Sequence, residues 1–421
     1  MDIKEKIKFI LKETNSWWKE EHFVVKDYID RDAFCQIEKF FKSPQLIALV
    51  GLRRTGKTTL MLKAVETYLK QLPSKNILYF SFDDFSLLDI EDILLVYRDI
   101  FSGINLKEDQ FLFCFDEIQK LDNWQDKIKR LYDMYPNIKI FVSGSESLFI
   151  RKEIKETLGG RIFEFKISPL AFKEYLHFTN NEKFIKNTEL YKSDLITAYR
   201  HFLKTNGFPE MVHIHDDMMI YKYLKETVVD KILFRDIPQL FGVKNPDILG
   251  EILDLIVFYP GQVIDVTKLS KELKLSRQVV SAYLDYLEKS FLIKKVYNFS
   301  KSLRKQKRAL KKYYPAVVFP EIVEEKFALC FESSLVWQLD AQFFYRDAYQ
   351  NEVDMIIIGG KKEILPIEIK TGKFDLKGLN YFLRKFKLKS AVVITLDFEE
   401  VRENIHIMPF YKYLFGHEGV V

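Results

Sequence analysis

Apolar residues fall along this chain in short runs separated by longer stretches of helical period. The runs are Leu46–Val50, Ile77–Phe82, Phe111–Phe115, Ile138–Val142 and Ile162–Phe165. Most are apolar at consecutive positions, so both faces of each strand need cover. A strand with one wet face would alternate instead. Strands of this kind joined by helical stretches predict a parallel α/β sheet with crossover helices. Ahead of it, residues 1–40 read as a helical segment with Ile7, Ile10 and Leu11 on one face and Trp17-Trp18 behind it. Beyond Pro169 the pattern changes. Residues 170–245 read as helices broken at Asn206-Gly207-Phe208-Pro209, a helical lid or linker. Residues 246–317 give three helices and then strand-like, basic sequence, and in 318–421 the alternation returns. The expected division is therefore 1–40, 41–169, 170–245, 246–317 and 318–421.

Composition adds exclusions. The chain has 421 residues, 48% of them hydrophobic and 30% charged, which is globular rather than disordered. Its three cysteines, Cys35, Cys114 and Cys330, have no paired spacing, which argues against a disulfide framework or a cysteine zinc site. No apolar run approaches the roughly 18 residues of a membrane span. The charged start, Met1-Asp-Ile-Lys-Glu-Lys6, is unlike a secretory signal. A reducing, cytoplasmic setting with no membrane partner is expected. The net charge of +5 is unevenly placed. Lys294 to Lys312 holds nine basic residues and no acid, so the rest of the chain nets −4. Such a patch predicts contact with nucleic-acid phosphates, with a solvated loop or a docking surface for an acidic protein as alternatives.

Candidate chemistry begins after the first run. Gly51-Leu-Arg-Arg-Thr-Gly56-Lys57-Thr58 matches G-x-x-x-x-G-K-[ST] between a strand and a helical stretch. Glycines let backbone amides turn toward phosphate oxygens, and the helix N-terminus adds its dipole. Lys57 then reaches the β- and γ-phosphates of ATP, and the Thr58 hydroxyl ligates Mg²⁺. The run Phe111–Phe115 ends in Asp116-Glu117, at the strand edge where open sheets bind ligands. Asp116 is the expected Mg²⁺-organising acid and Glu117 the expected base; a helix start that favours acids is the alternative.

With the strand Ile77–Phe82 between them, these motifs resemble the additional-strand, catalytic-glutamate branch of P-loop ATPases that includes the AAA+ class. That resemblance implies a γ-phosphate sensor ending the next strand, here Ser143, which could equally be a helix N-cap. Leu158-Gly-Gly160-Arg161 resembles the glycine–arginine element of an archaeal and bacterial ATPase family. It implies that Arg161 neutralises transition-state charge in cis or from a neighbouring subunit; a solvated surface turn is the alternative. Arg53 and Arg54 match that family's Gly-x-Arg-Arg-x-Gly-Lys loop, and Trp17-Trp18 resembles its N-terminal region. The implied nucleotide contacts are Gly51, Arg53, Arg54, Thr55, Gly56, Lys57, Thr58, Thr59, Asp116 and Ser143.

In 246–317 the order helix, short helix, turn, helix, strand is that of a winged helix-turn-helix. Its third helix offers Arg277, Gln278 and Ser281 outward, but also Asp285 and Glu288. In the last segment, Glu352–Ile358 and Ile364–Lys370 flank Gly359-Gly360. A hairpin symmetric about Lys361 opposes Asp354 to Glu368, with Lys370 on the same face as Glu368. Directly opposed carboxylates, about 5 Å apart at Cβ, need a cation between them. This face resembles the PD-(D/E)xK nuclease motif, with Glu332 as its preceding-helix acid. The resemblance implies Glu332, Asp354 and Glu368 as Mg²⁺ ligands and Lys370 as the catalytic residue that orients the attacking water. An exposed ion-pair face is the alternative. Two departures stand out: Lys312-Tyr-Tyr-Pro315 lacks the expected following Asp, and Val353 replaces the motif's leading Pro. As a whole the chain resembles AAA+-class ATPases that carry a winged helix and a restriction-endonuclease-like α/β domain. The expected function is a Mg²⁺-dependent ATPase acting on DNA through Lys294–Lys312, with nuclease activity in the last domain. A non-cleaving ATP-driven switch for a protein or DNA partner is the main rival. A translocating motor would need a ring or nucleic-acid-stimulated turnover, and the oligomeric state is left open.

Overall fold

The computed structural model describes residues 3–20, 22–83, 88–144, 157–359, 363–372 and 375–416. The chain divides into two units, Met1–Ser168 and Pro169–Val421.

The first unit is built on five strands: β1 (Leu46–Val50), β2 (Ile77–Ser81), β3 (Phe111–Asp116), β4 (Ile138–Gly144) and β5 (Ile162–Lys166). They pair in parallel in the order β2-β3-β4-β1-β5, as the run pattern predicts. β1 and β3 are buried at every position, which is why their sequences do not alternate. β4 lies between β1 and β3, so the two motif-bearing strands flank it. The carboxyl ends of all three strands therefore share one edge.

The N-terminal segment is not one helix. Helix Ile3–Thr14 buries Ile7 and Leu11, and a second helix spans Asp32–Glu38. The first stops because the next side chains are needed on the outer edge of β2. Asn15, fully buried, accepts from the Tyr79 amide at 2.7 Å and donates to the Tyr79 carbonyl at 2.9 Å. The indole N–H groups of Trp17 and Trp18 both donate to the Ile77 carbonyl, at 3.2 and 2.9 Å. Three side chains thus satisfy backbone groups that an edge strand would otherwise leave open. Asn15→Ala strands the amide and carbonyl of Tyr79. At about 1–3 kcal/mol per unmet buried group, a loss of roughly 2–4 kcal/mol is expected in urea unfolding followed by tryptophan fluorescence. A loss below about 1 kcal/mol would show that water replaces the amide.

The second unit begins with helices, among them Lys192–Thr205, which ends at Asn206 in the left-handed region. Helices Asp247–Phe258, Val266–Glu272 and Arg277–Lys289 follow, with β6 (Gln262–Ile264) after the first of them. Then come β7 (Ile293–Asn298), β8 (Lys311–Pro315), helix Phe327–Gln338, β9 (Phe343–Arg346), β10 (Glu352–Ile358), β11 (Ile364–Lys370), β12 (Ala391–Thr395), β13 (Glu400–Arg402) and β14 (Ile405–Pro409). All nine strands make one sheet, ordered β13-β14-β12-β11-β10-β9-β7-β8-β6. The join is parallel pairing of β7 with β9, Tyr297 opposite Phe343. One hydrogen-bonded sheet thus runs through residues 262–409. Helix Lys377–Phe386 covers one face, with Phe382 and Leu379 packed against Val353, Ile356 and Val393.

Candidate functional site

β1 delivers the chain into the loop at Gly51, whose φ is +151°. A Cβ there would lie 2.2 Å from the Ile167 carbonyl oxygen, so the turn requires glycine. Arg54 and Gly56 also take positive φ, 62° and 92°, and helix Lys57–Tyr68 starts at once. Lys57 is 5% exposed. Its ammonium lies over the loop, donating to the carbonyls of Gly51 at 3.2 Å and Leu52 at 2.8 Å. The Thr55 hydroxyl turns inward to the Leu52 carbonyl at 3.0 Å. Thr58 and Thr59 are exposed and Arg53 half-buried.

The acids stand where β3 ends. Thr58 Oγ1 donates to Asp116 Oδ2 at 2.6 Å, and Tyr79 OH donates to the same oxygen at 3.0 Å. Burial, then the neighbouring Asp116 charge, pushes the Tyr79 hydroxyl pKa up, so it remains a donor. Ser143 donates to Asp116 Oδ1 and accepts from the Glu117 amide at 3.2 Å. Glu117 takes φ 51°, and its Oε2 accepts from Gln119 Nε2 at 2.6 Å. A hydroxyl and a carboxylate in contact beside the loop form the all-oxygen set that Mg²⁺ prefers.

Two expectations change here. Ser143 is fully buried on β4, where its hydroxyl holds Asp116, so it is not a helix N-cap. Arg161 is not in this pocket. It precedes β5, whose Ile162 pairs with Leu46 at the start of β1, while the loop follows the end of β1. Five strand residues at about 3.3 Å each separate the two edges. Arg161 pairs instead with Asp133, at 3.0 Å, at the edge opposite the loop. A residue the motifs did not reveal is Arg31, 6% exposed. It donates to the carbonyls of Thr55 at 3.1 Å and Ser168 at 3.0 Å, bracing the loop.

In the second unit, β10 and β11 pair Met355 with Ile367 and Ile358 with Ile364. That register is centred on 361, as the hairpin arithmetic predicts; residues 360–362 lie outside the described ones. Asp354 and Glu368 are 7% and 8% exposed, so an open ion-pair face is ruled out. Asp354 Oδ2 accepts from the Ile369 amide at 2.8 Å. Lys370 Nζ lies 2.7 Å from Glu368 Oε1 and 4.0 Å from Asp354 Oδ2. Glu368 Oε2 is buried with no hydrogen-bond partner. Burial first, then the charges of Glu368 and Glu332, holds the Asp354 carboxyl well above its ordinary range; burial raises Glu368 too. Burial opposes the Lys370 ammonium, but the charges of Asp354 and Glu368 outweigh it and keep it protonated.

Glu332 does not join that pair as a third ligand. Its Oε1 accepts from Tyr314 OH at 2.6 Å and from Lys312 Nζ at 3.2 Å, and Lys312 also lies 2.6 Å from Glu352 Oε1. Among the described residues, no three His, Cys, Asp or Glu side chains are grouped to hold a metal ion. The expected three-carboxylate set is reduced to Asp354 and Glu368. Two oxygen ligands of opposed strands, one oxygen without a partner, still suit a divalent cation that keeps several waters.

These raised carboxyl values set a pH dependence. Without divalent ions the folded state keeps protons that the unfolded chain releases above about 3.8. The contribution of this pair to stability must therefore fall as pH rises from there through the raised values, then level off. In EDTA the melting temperature of wild type should fall relative to that of Asp354→Asn as pH rises above about 4. Equal slopes would show that Asp354 titrates normally.

The basic segment is narrower than its sequence suggests. Lys294 pairs with Asp340, Lys295 with Glu288 and Lys312 with Glu332 and Glu352. Lys301, Arg304, Lys305 and Lys307 remain exposed, at and before helix Leu303–Arg308. Arg277, Gln278 and Ser281 are exposed as well.

Residues 43–176 match the AAA domain family, residues 196–316 a domain of unknown function (DUF8612), and residues 331–413 another (DUF4143). An uncharacterized protein of Haemophilus influenzae is 31% identical over 282 residues, 64% of this chain and 67% of that one. An uncharacterized protein of Methanocaldococcus jannaschii is 28% identical over 408 residues, 87% of each chain. The chain belongs to the same family as the Haemophilus influenzae protein, and its own residues 43–176 carry the AAA domain of P-loop ATPases. Among solved structures, the Aeropyrum pernix Orc1 protein in complex with DNA aligns at 13% identity and TM-score 0.32, over 75% of this chain and 96% of that one. AMPPCP-bound DnaA from Aquifex aeolicus aligns at 17% and 0.32, over 63% and 91%. Likenesses this slight carry no argument about function.

Proposed function

We propose that the protein is a Mg²⁺-dependent ATPase that acts on DNA. The observation that carries the reading is the contact of Thr58 with Asp116 at 2.6 Å, beside Lys57 and one residue from Glu117. ATP phosphates take the loop amides and the start of helix Lys57–Tyr68. Lys57 exchanges the Gly51 and Leu52 carbonyls for phosphate oxygens. Thr58 and Asp116 would hold Mg²⁺, which supplies charge neutralisation at the β- and γ-phosphates. Glu117 orients a water and accepts its proton as the water oxygen bonds the γ-phosphorus and the bridging oxygen departs with ADP. A catalytic role for Arg161 would require a second copy of the chain.

DNA is the favoured partner because Lys301, Arg304, Lys305 and Lys307 are exposed beside a winged-helix-like arrangement. Asp285 and Glu288, which would repel phosphates, are offset by Lys289 and Lys295. Such contacts position without specifying sequence. A second reading rests on the buried, unpartnered Glu368 Oε2: metal-dependent phosphodiester cleavage by Asp354, Glu368 and Lys370 in a nuclease-like domain. Labelled duplex incubated with protein, ATP and Mg²⁺ or Mn²⁺ tests both. Cleavage lost in Asp354→Ala supports the nuclease. ATP-dependent duplex retention without cleavage supports a non-cleaving switch. Neither retention nor cleavage removes the DNA reading.

A further inference from the structure

We propose that Lys312 is a built-in cation of the carboxylate cluster, so that the cluster takes one divalent ion, held by Asp354 and Glu368, and not two. This rests on the metal reading of that pair. The cluster has two halves. In one, Glu332 and Glu352 share the Lys312 ammonium at 3.2 and 2.6 Å, Tyr314 donates to Glu332 at 2.6 Å, and Arg346 Nε reaches Glu352 Oε2 at 3.5 Å. Two acids face two cations, so this half is charge-balanced. It is also closed. Lys312 is 5% and Tyr314 0% exposed, and a Cβ on Gly261 would meet the Tyr314 ring at 2.7 Å and Glu332 Oε1 at 3.3 Å.

In the other half, Asp354 and Glu368 take their direct ion pairs from Lys370, and the Lys312 charge also acts on Asp354. With both carboxylates ionised the pair outnumbers the Lys370 ammonium, and the buried Glu368 Oε2 has no hydrogen-bond partner. An unpaired buried charge beside an unsatisfied oxygen is costly, and a divalent cation with its waters resolves both. Lys312 thereby draws Glu332 away from the ligand pair. Its sequence position in a basic run conceals this, because its partners lie 20 and 40 residues further on.

Mn²⁺ binding to the full-length, nucleotide-free protein, read by the electron paramagnetic resonance of the free ion, tests this. Wild type should bind one ion that Asp354→Asn weakens by more than about tenfold. Glu332→Gln should keep that ion within about threefold, because Glu332 is not a ligand. Lys312→Met should gain a second ion, lost again when Glu352→Gln is added. Loss of the wild-type ion in Glu332→Gln overturns the proposal, as does a folded Lys312→Met that binds no extra ion. If Lys312→Met fails to fold, Glu332→Gln decides alone. Should wild type hold no ion sensitive to Asp354→Asn, the metal reading itself falls, a different outcome from either.

Discussion

Glu117→Gln should lower ATP turnover by about two to four orders of magnitude while leaving ATP bound. The carboxylate touches neither the loop nor Lys57 in the contacts described above; its partner is Gln119 at 2.6 Å. Glutamine matches its shape but cannot accept the proton of an attacking water. The backbone is already set for the task, since Glu117 sits at φ 51° with its amide on Ser143. Binding should be unaffected because phosphate contacts come from Lys57, Thr58 and the loop amides. Single-turnover hydrolysis and equilibrium nucleotide binding, measured on the same preparation, separate the two effects. Turnover within about threefold of wild type would move the base elsewhere.

Lys312→Met should destabilise the second unit by about 3–5 kcal/mol in metal-free buffer. The side chain is 5% exposed and is shared between Glu332 and Glu352. Methionine keeps much of the length and removes the charge, leaving two carboxylates facing each other near Asp354. Breaking a buried pair from one side costs more than the pair contributes, because the remaining charge loses its compensation. For a unit of this size the loss corresponds to roughly 10 °C in the calorimetric transition. Added Mn²⁺ should restore part of it. A shift under about 2 °C without metal would mean that Glu332 and Glu352 protonate or hydrate at little cost.

Much of the first unit was legible because its chemistry is local. The loop, the helix after it and the acids closing β3 each occupy a few consecutive residues, and consecutive apolar positions marked buried strands. The β10–β11 register was legible for the same reason, since symmetry about residue 361 follows from the flanking runs. What escaped depends on long-range placement. Arg161 lies close to β5 in sequence, but parallel pairing puts the residue before a strand at the edge opposite the loop. Asn15 and the two tryptophans look like a continuing helix until the open edge of β2 supplies their partners. Lys312 was read as part of a basic patch. Alternation along β8 puts it on one face with Tyr314, yet nothing local says that this face is buried against Glu332.

The central claim is that the amides after β1, Lys57, Thr58 and Asp116 form a MgATP site. Calorimetric titration of MgATP into nucleotide-free protein, wild type beside Lys57→Ala, tests it most directly. Saturable binding to wild type, weakened about 10- to 100-fold by the substitution, is the predicted result. No binding to wild type, or equal affinity in both proteins, would contradict it.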